Sequence, residues 1–215
     1  VTVSRVVARD DLGGRLGLGV GHLGDRCVLR SVRRDVLDTV VSAIESLRDA
    51  CGDKGPLLHL AVSTTGVIDG DGRIVRSDLV PQWTGLDLGR TLSRRLDVPV
   101  TVDNDANGAL WAEHRFGAAR SASHAVMVTL GTGIGGGVLV DGRLMRGRWG
   151  IAGEFGHMQV VPAGLRCECG NRGCWEQYSS GNALVREARG LAMANSPMAT
   201  DLLAHVGGDP ASLTG

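Results

Sequence analysis

"HAVMVTLGTGIGGGVLVDGRL", residues 124–144, contains GTGIGG at residues 131–136, a literal match to G-x-G-x-x-G. A dinucleotide-binding turn of that kind needs a strand before it and a helix after it. The strand is there, since "HAVMVTL" is rich in β-branched and apolar residues. The next segment, "GVLVDGRL", reads instead as a second strand turning on an Asp-Gly hairpin. "GVGHLG" at residues 19–24 matches the same letters with no clear strand before it and no convincing helix after it. Both runs therefore fail as Rossmann turns. What remains at Thr132 and Gly133 is a tight strand-to-strand turn offering backbone N–H groups and a hydroxyl. Such a concavity either cradles phosphate oxygens or is a plain hairpin, and spacing alone does not choose.

Working outward, residues 3–8 read as a strand entering the turn "DDLGGR". Over residues 35–50, Val36, Val40, Val41, Ile44 and Leu47 recur at helical spacing and predict an amphipathic helix. Residues 58–63 predict a buried strand, "VIDGDGRIV" a hairpin, residues 86–96 a helix and residues 98–102 a strand. A further helix opens at Asp105, another covers residues 182–195, and the tail from Gly207 is turn-rich. There is no internal repeat. Strands alternating with helices and interrupted by hairpins predict an α/β chain with mixed sheets. The small and polar stretch at residues 116–123 is the expected lobe boundary.

At 215 residues the chain can hold one substantial core or two lobes. Lysine plus arginine equal aspartate plus glutamate at 23 each, so no bulk field draws nucleic acid or an anionic membrane. No apolar run reaches the roughly 20 residues of a membrane span, and the start lacks a signal-peptide layout, so a cytoplasmic protein is expected. The chain opens on Val1 rather than methionine, which points to processing or an excerpt. Five cysteines cannot all pair, which argues against a disulfide framework.

Three of those cysteines stand as Cys167-x-Cys169-x(4)-Cys174, on a short loop with Gly170 and Gly173. Three thiolates want a fourth ligand for tetrahedral zinc, and His157 in "GEFGH" is the nearest fit. The plain alternative, small buried hydrophobes, suits a charged and glycine-rich loop poorly. A site with all four ligands from protein has no open position and is structural, contributing roughly 10–16 kcal/mol to folding in comparable zinc peptides. Cys27 and Cys51 read as packing residues. Asp103, Asn104 and Asp105 join a strand to a helix, where α/β folds place ligands, although Asp105 also stands where an N-cap belongs. Glu154, His157 and Glu176 flank the cysteine loop, and a metal on one imidazole nitrogen would fix the other as a hydrogen-bonding group.

"LGTGIGGGVLVDGRLMRG", "GEFGHMQVV", "CECGNRGCWEQYSSGNAL" and "VDNDANGALWAEHRFGAA" resemble the ROK family of sugar kinases and sugar-responsive repressors, from about residue 58 to residue 195. The resemblance implies an actin-like (ribonuclease H-like, hexokinase-type) ATPase fold, two lobes with mixed sheets around a cleft, spanning residues 1–118 and 119–215. It implies transfer of the ATP γ-phosphoryl group, with Mg2+, to the 6-hydroxyl of a hexose, glucose first. On it Asp105 matches the general base. Gly66, Asn104, Asp105, Glu154, His157 and Glu176 match sugar-binding positions, Thr132 and Gly133 the second phosphate turn, and His157, Cys167, Cys169 and Cys174 a structural zinc site. A dimer or tetramer is implied as well. Two departures stand out: the family's first phosphate hairpin has no counterpart before Leu58, and Asp78 stands where many relatives have asparagine. Both lobes are accordingly expected to be incomplete. A sugar-sensing effector domain of a repressor, or an inactive sugar-binding remnant, is the alternative function.

Overall fold

The computed structural model describes residues 33–51, 57–77 and 80–214. The expected strand at residues 3–8, the runs at residues 10–15 and 19–24, Cys27 and Asp78 lie outside the described residues, as does the side chain of Cys51. The chain divides into two compact units. One comprises the chain up to Gly108 together with Arg146–Ile151, and the other comprises Ala109–Met145 with Ala152–Gly215.

In the first unit, α1 (Arg33–Cys51) buries Leu37, Val41 and Ile44, while Leu47 is 48% exposed, so the apolar stripe stops short of the last turn. Then come β1 (Leu60–Thr64), β2 (Val67–Ile68), β3 (Arg73–Arg76), β4 (Leu86–Asp87), α2 (Leu88–Leu96) and β5 (Val100–Asn104). β1 pairs with β5 in parallel, Leu60 opposite Val100 and Thr64 opposite Asn104, while β2, β3 and β4 form a separate antiparallel sheet. Parallel neighbours need a crossover, and the hairpins with α2 supply it.

The boundaries differ from expectation for local reasons. β1 starts two residues late, with Leu58 51% exposed. β5 starts at Val100 because Pro99 has no N–H for a ladder, and its carbonyl instead accepts the Leu60 N–H. α2 starts at Leu88 because Leu86 and Asp87 pair with β3, and Asp87 then caps the helix by accepting the Arg90 N–H. Leu88, Leu92 and Leu96, four apart, seal the core made by Ile44, Leu60, Val62, Ile74, Val98 and Val102.

α3 (Asp105–Phe116) leads into β6 (Ala125–Leu130), β7 (Ile134–Val140) and β8 (Arg143–Leu144), an antiparallel sheet in the order β6-β7-β8. The quoted glycine turn is thus the strand-to-strand turn the sequence predicts. A 3-10 turn, Phe155–His157, lies on β7, and no side chain fits at the glycines where the two meet. A β-carbon on Gly136 would meet the Phe155 ring at 2.3 Å, one on Gly153 the Gly136 carbonyl oxygen at 2.5 Å, and one on Gly156 the Ile134 carbonyl oxygen at 2.2 Å. Glycines in both segments are what allow the contact.

Beyond it lie α4 (Glu176–Ser179), α5 (Gly181–Met193) and α6 (Thr200–His205). The tail is more ordered than expected: Ala199 and Leu213 pack on Ala192, and Arg189 of α5 donates to the carbonyls of Ala211 and Leu213. Among the described residues no helix is long and apolar enough to cross a membrane.

Leu92 has no exposed surface. Leu92→Ala should lower the unfolding free energy by about 2–5 kcal/mol, measured by urea denaturation; a cost below about 1 kcal/mol would contradict the packing described.

Candidate functional site

β5 delivers three polar residues to the start of α3, and each has a different job. The Asn104 side-chain oxygen accepts the N–H groups of Ala106 (2.8 Å) and Asn107 (3.3 Å), and its amide donates to the Gly66 carbonyl (3.1 Å). Asn104 is therefore the capping side chain, where the sequence pointed to Asp105. Either residue type caps well, and the backbone decides: Asp105 is already the first residue of α3. Asp105 is left exposed, with one carboxylate oxygen accepting the Ala106 N–H at 3.0 Å. Gly66, at φ +109°, comes close enough that a β-carbon would lie 2.6 Å from the Arg76 carbonyl oxygen.

Asp103 is 16% exposed and fully occupied. One oxygen accepts the Asn104 N–H and the Asn107 amide at 2.8 and 3.0 Å; the other accepts Nε and Nη2 of Arg146 at 3.0 and 2.5 Å. Arg146 heads the excursion that returns to the first unit. The side chain of Asn107 is buried at 3% exposure, and its oxygen, like the buried hydroxyl of Thr64, has no partner among the described residues.

In the second unit the Gly131–Gly133 turn is held from outside. The N–H of Gly131 donates to the Gly133 carbonyl at 3.0 Å, and the carbonyls of Gly131 and Thr132 accept the Gly181 and Asn182 N–H groups at 2.8 and 3.3 Å. Oε2 of Glu176 accepts the Ile134 N–H at 3.0 Å. Among the described residues nothing accepts the N–H groups of Thr132 or Gly133.

His157, Cys167, Cys169 and Cys174 bring one ligand atom each to within 4.8 Å of one another. The Cys169 and Cys174 sulfurs are 3.6 Å apart, and His157 Nδ1 is 3.6 Å from the Cys167 sulfur. A tetrahedral ion about 2.3 Å from each sulfur asks for sulfur–sulfur edges of about 3.8 Å, so the donor set fits such a metal. Burial, then the neighbouring Cys169 and Cys167 thiols, push the Cys174 thiol up to about 12. A bound cation would reverse that preference, since a coordinating thiol is deprotonated outright. The other imidazole nitrogen, Nε2, faces Glu154 Oε2 at 3.8 Å, so the ring presents one nitrogen to the sulfurs and one to a carboxylate.

The sequence candidates thus fall into groups. Gly66, Asn104 and Asp105 meet in the first unit; Thr132, Gly133 and Glu176 meet in the second, as do Glu154, His157 and the three cysteines. Arg146 and Asn107 join the site without having stood out in the sequence, although "DNDAN" carries four polar residues in five positions. Gln177 is a further addition; its amide points at the Cys167 sulfur at 3.7 Å.

A parallel pair feeding a capped helix, with a separate strand-turn-strand sheet carrying the glycine turn, defines an α/β chain of the actin-like, hexokinase-type class. The chain belongs to the ROK family, whose pattern matches residues 25–207. A glucokinase of Streptomyces coelicolor is 38% identical over 180 residues, covering 84% of this chain and 56% of that protein. The crystal structure of a ROK family glucokinase from Streptomyces griseus in complex with glucose and AMPPNP superposes with a TM-score of 0.69 at 38% identity, covering 82% of this chain and 57% of that one. A ROK family transcriptional regulator, a homolog of the E. coli MLC protein, superposes with a TM-score of 0.68 at 30% identity, covering 78% and 43%. The chain therefore spans little more than half the length of the kinases it matches.

Removing the Arg146 guanidinium leaves a largely buried carboxylate without its cation. Arg146→Met should cost about 1–3 kcal/mol in urea unfolding, whereas a loss under about 0.5 kcal/mol would class the pair with ordinary surface ion pairs.

Proposed function

We propose that the chain is the greater part of a cytoplasmic ATP-dependent hexose kinase, acting on the 6-hydroxyl of glucose, with an N-terminal lobe to residue 118 and a C-terminal lobe from residue 119. The observation that carries the reading is the freedom of Asp105: Asn104 does the capping, so an exposed carboxylate stands at the C-terminal end of a parallel strand. Asp105 accepts the proton of the 6-hydroxyl as that oxygen bonds to the γ-phosphorus; the bond from phosphorus to the β-phosphate oxygen breaks, and ADP leaves. Gly66 and Asn104 are sugar-binding residues on the family resemblance, Asn104 with the amide proton not spent on Gly66. Glu154, His157 and Glu176 are sugar-binding residues on the same resemblance. The unclaimed N–H groups of Thr132 and Gly133 serve the nucleotide phosphates. Mg2+ bound with ATP supplies charge neutralisation on the phosphoryl oxygens.

His157, Cys167, Cys169 and Cys174 hold a structural Zn2+, and the residues suit it in number, type and spacing. Its effect on this chain's residues is to fix the imidazole so that Nε2 stays toward Glu154 and the substrate. The assembly is a dimer or tetramer. A sugar-sensing domain of a repressor is the second reading, favoured by the likeness to the ROK family regulator.

A coupled ADP-release assay with glucose, beside calorimetric glucose binding without nucleotide, separates the two. Turnover is expected, and Asp105→Asn should keep glucose affinity while losing about 10²–10⁴ in rate. Glucose binding with no ADP release would overturn the kinase reading in favour of a sensor or an inactive sugar-binding remnant. Elemental analysis should find about one zinc per chain, the ratio one closed tetrahedral site holds, and chelation should increase proteolytic cleavage between residues 157 and 174. A metal-free, protease-resistant chain would remove zinc from the reading.

A further inference from the structure

Ile134, the first residue of β7, is buried and is held on both sides of its backbone. Its N–H donates to Oε2 of Glu176, and a β-carbon on Gly133, one residue earlier, would lie 2.3 Å from that same oxygen. Its carbonyl oxygen lies against Gly156, where no β-carbon fits. The carbonyls of Gly131 and Thr132 are meanwhile taken by the first N–H groups of α5. The two holds on Ile134 thus come from the segments that carry the metal-ligand candidates, while α5 holds the two carbonyls before it. Gly156 immediately precedes His157, and Glu176 follows Cys174 by two residues.

A carboxylate beside a phosphate-binding turn is electrostatically unfavourable toward the phosphates themselves. Glu176 is consequently a poor phosphate ligand, and its oxygen is committed to a backbone N–H that leaves the turn rather than one that lines it. We propose that Glu176 is a positioning residue for the nucleotide: by fixing Ile134 it aims the Thr132 and Gly133 N–H groups, and through the His157 turn on the opposite side the metal-ligating loop braces the same residue. The inference rests on the kinase reading for the identity of the ligand and adds a role to Glu176 beyond the sugar contact.

The test compares Glu176→Gln with Glu176→Ala in the full chain. Glutamine keeps an acceptor at the same reach and removes the charge, whereas alanine removes both. The Ile134 amide, followed by NMR hydrogen exchange, should exchange about five- to tenfold faster in the alanine variant, the scale of one lost hydrogen bond, and stay protected in the glutamine variant. Chelation with EDTA should speed the same amide in the parent chain. Calorimetric binding of ADP with Mg2+ should weaken by about tenfold in the alanine variant, some 1.4 kcal/mol, and not weaken in the glutamine variant. Equal ADP binding by all three proteins, equal loss in both variants, or an unchanged Ile134 amide in Glu176→Ala would overturn the proposal. A parent chain that binds no ADP while its Ile134 amide follows the expected pattern would overturn the kinase reading instead.

Discussion

β7 and the segment that carries His157 meet through glycines, with the Phe155 ring the side chain seated on Gly136, and the second unit is arranged around that close approach. Gly136 admits the Phe155 ring, Gly153 lies on the Gly136 carbonyl and Gly156 on that of Ile134. Contacts between main chains cannot be relieved by rotamer changes, as contacts between flexible side chains can. The imidazole therefore takes its direction from the sheet as well as from the cysteine loop, with Nδ1 toward sulfur and Nε2 toward Glu154. The cysteine loop in turn passes its order to Glu176, which follows its last sulfur by two residues.

The first unit solves a different problem, which is how to leave one carboxylate exposed among neighbours of the same chemical type. Four polar residues crowd into positions 103–107. Asp103 is neutralised by Arg146, Asn104 spends its oxygen on the helix start and one amide proton on Gly66, and Asn107 is tied to Asp103. Asp105 alone keeps an exposed carboxylate. Helix capping, usually a matter of stability, here decides which acid remains available.

Much of this is legible in the sequence because it is local. The strand, glycine turn and strand at residues 124–144 sit in consecutive positions, so the order of elements is enough to reject the Rossmann reading. The apolar spacing of α1 and α2 marks their core faces, and Cys167, Cys169 and Cys174 declare themselves by spacing, with His157 added by ligand type. What the sequence could not show is nonlocal or turns on backbone geometry. Arg146 reaches an aspartate 43 residues away, and Glu176 an amide 42 residues away. Asn104 and Asp105 are equally good caps by composition, so only the strand's exit angle separates them. α6 is too short to show a period, and its partners are small side chains such as Ala199 and Ala192.

The buried Asn107 stands directly before Gly108, a dipeptide that in a loose chain cyclises and deamidates readily. Within α3 the main chain cannot adopt the succinimide geometry, and the amide is withheld from water by its bond to Asp103. An isoaspartate at position 107 in an aged sample would therefore be a chemical record of molecules whose third helix had once come undone.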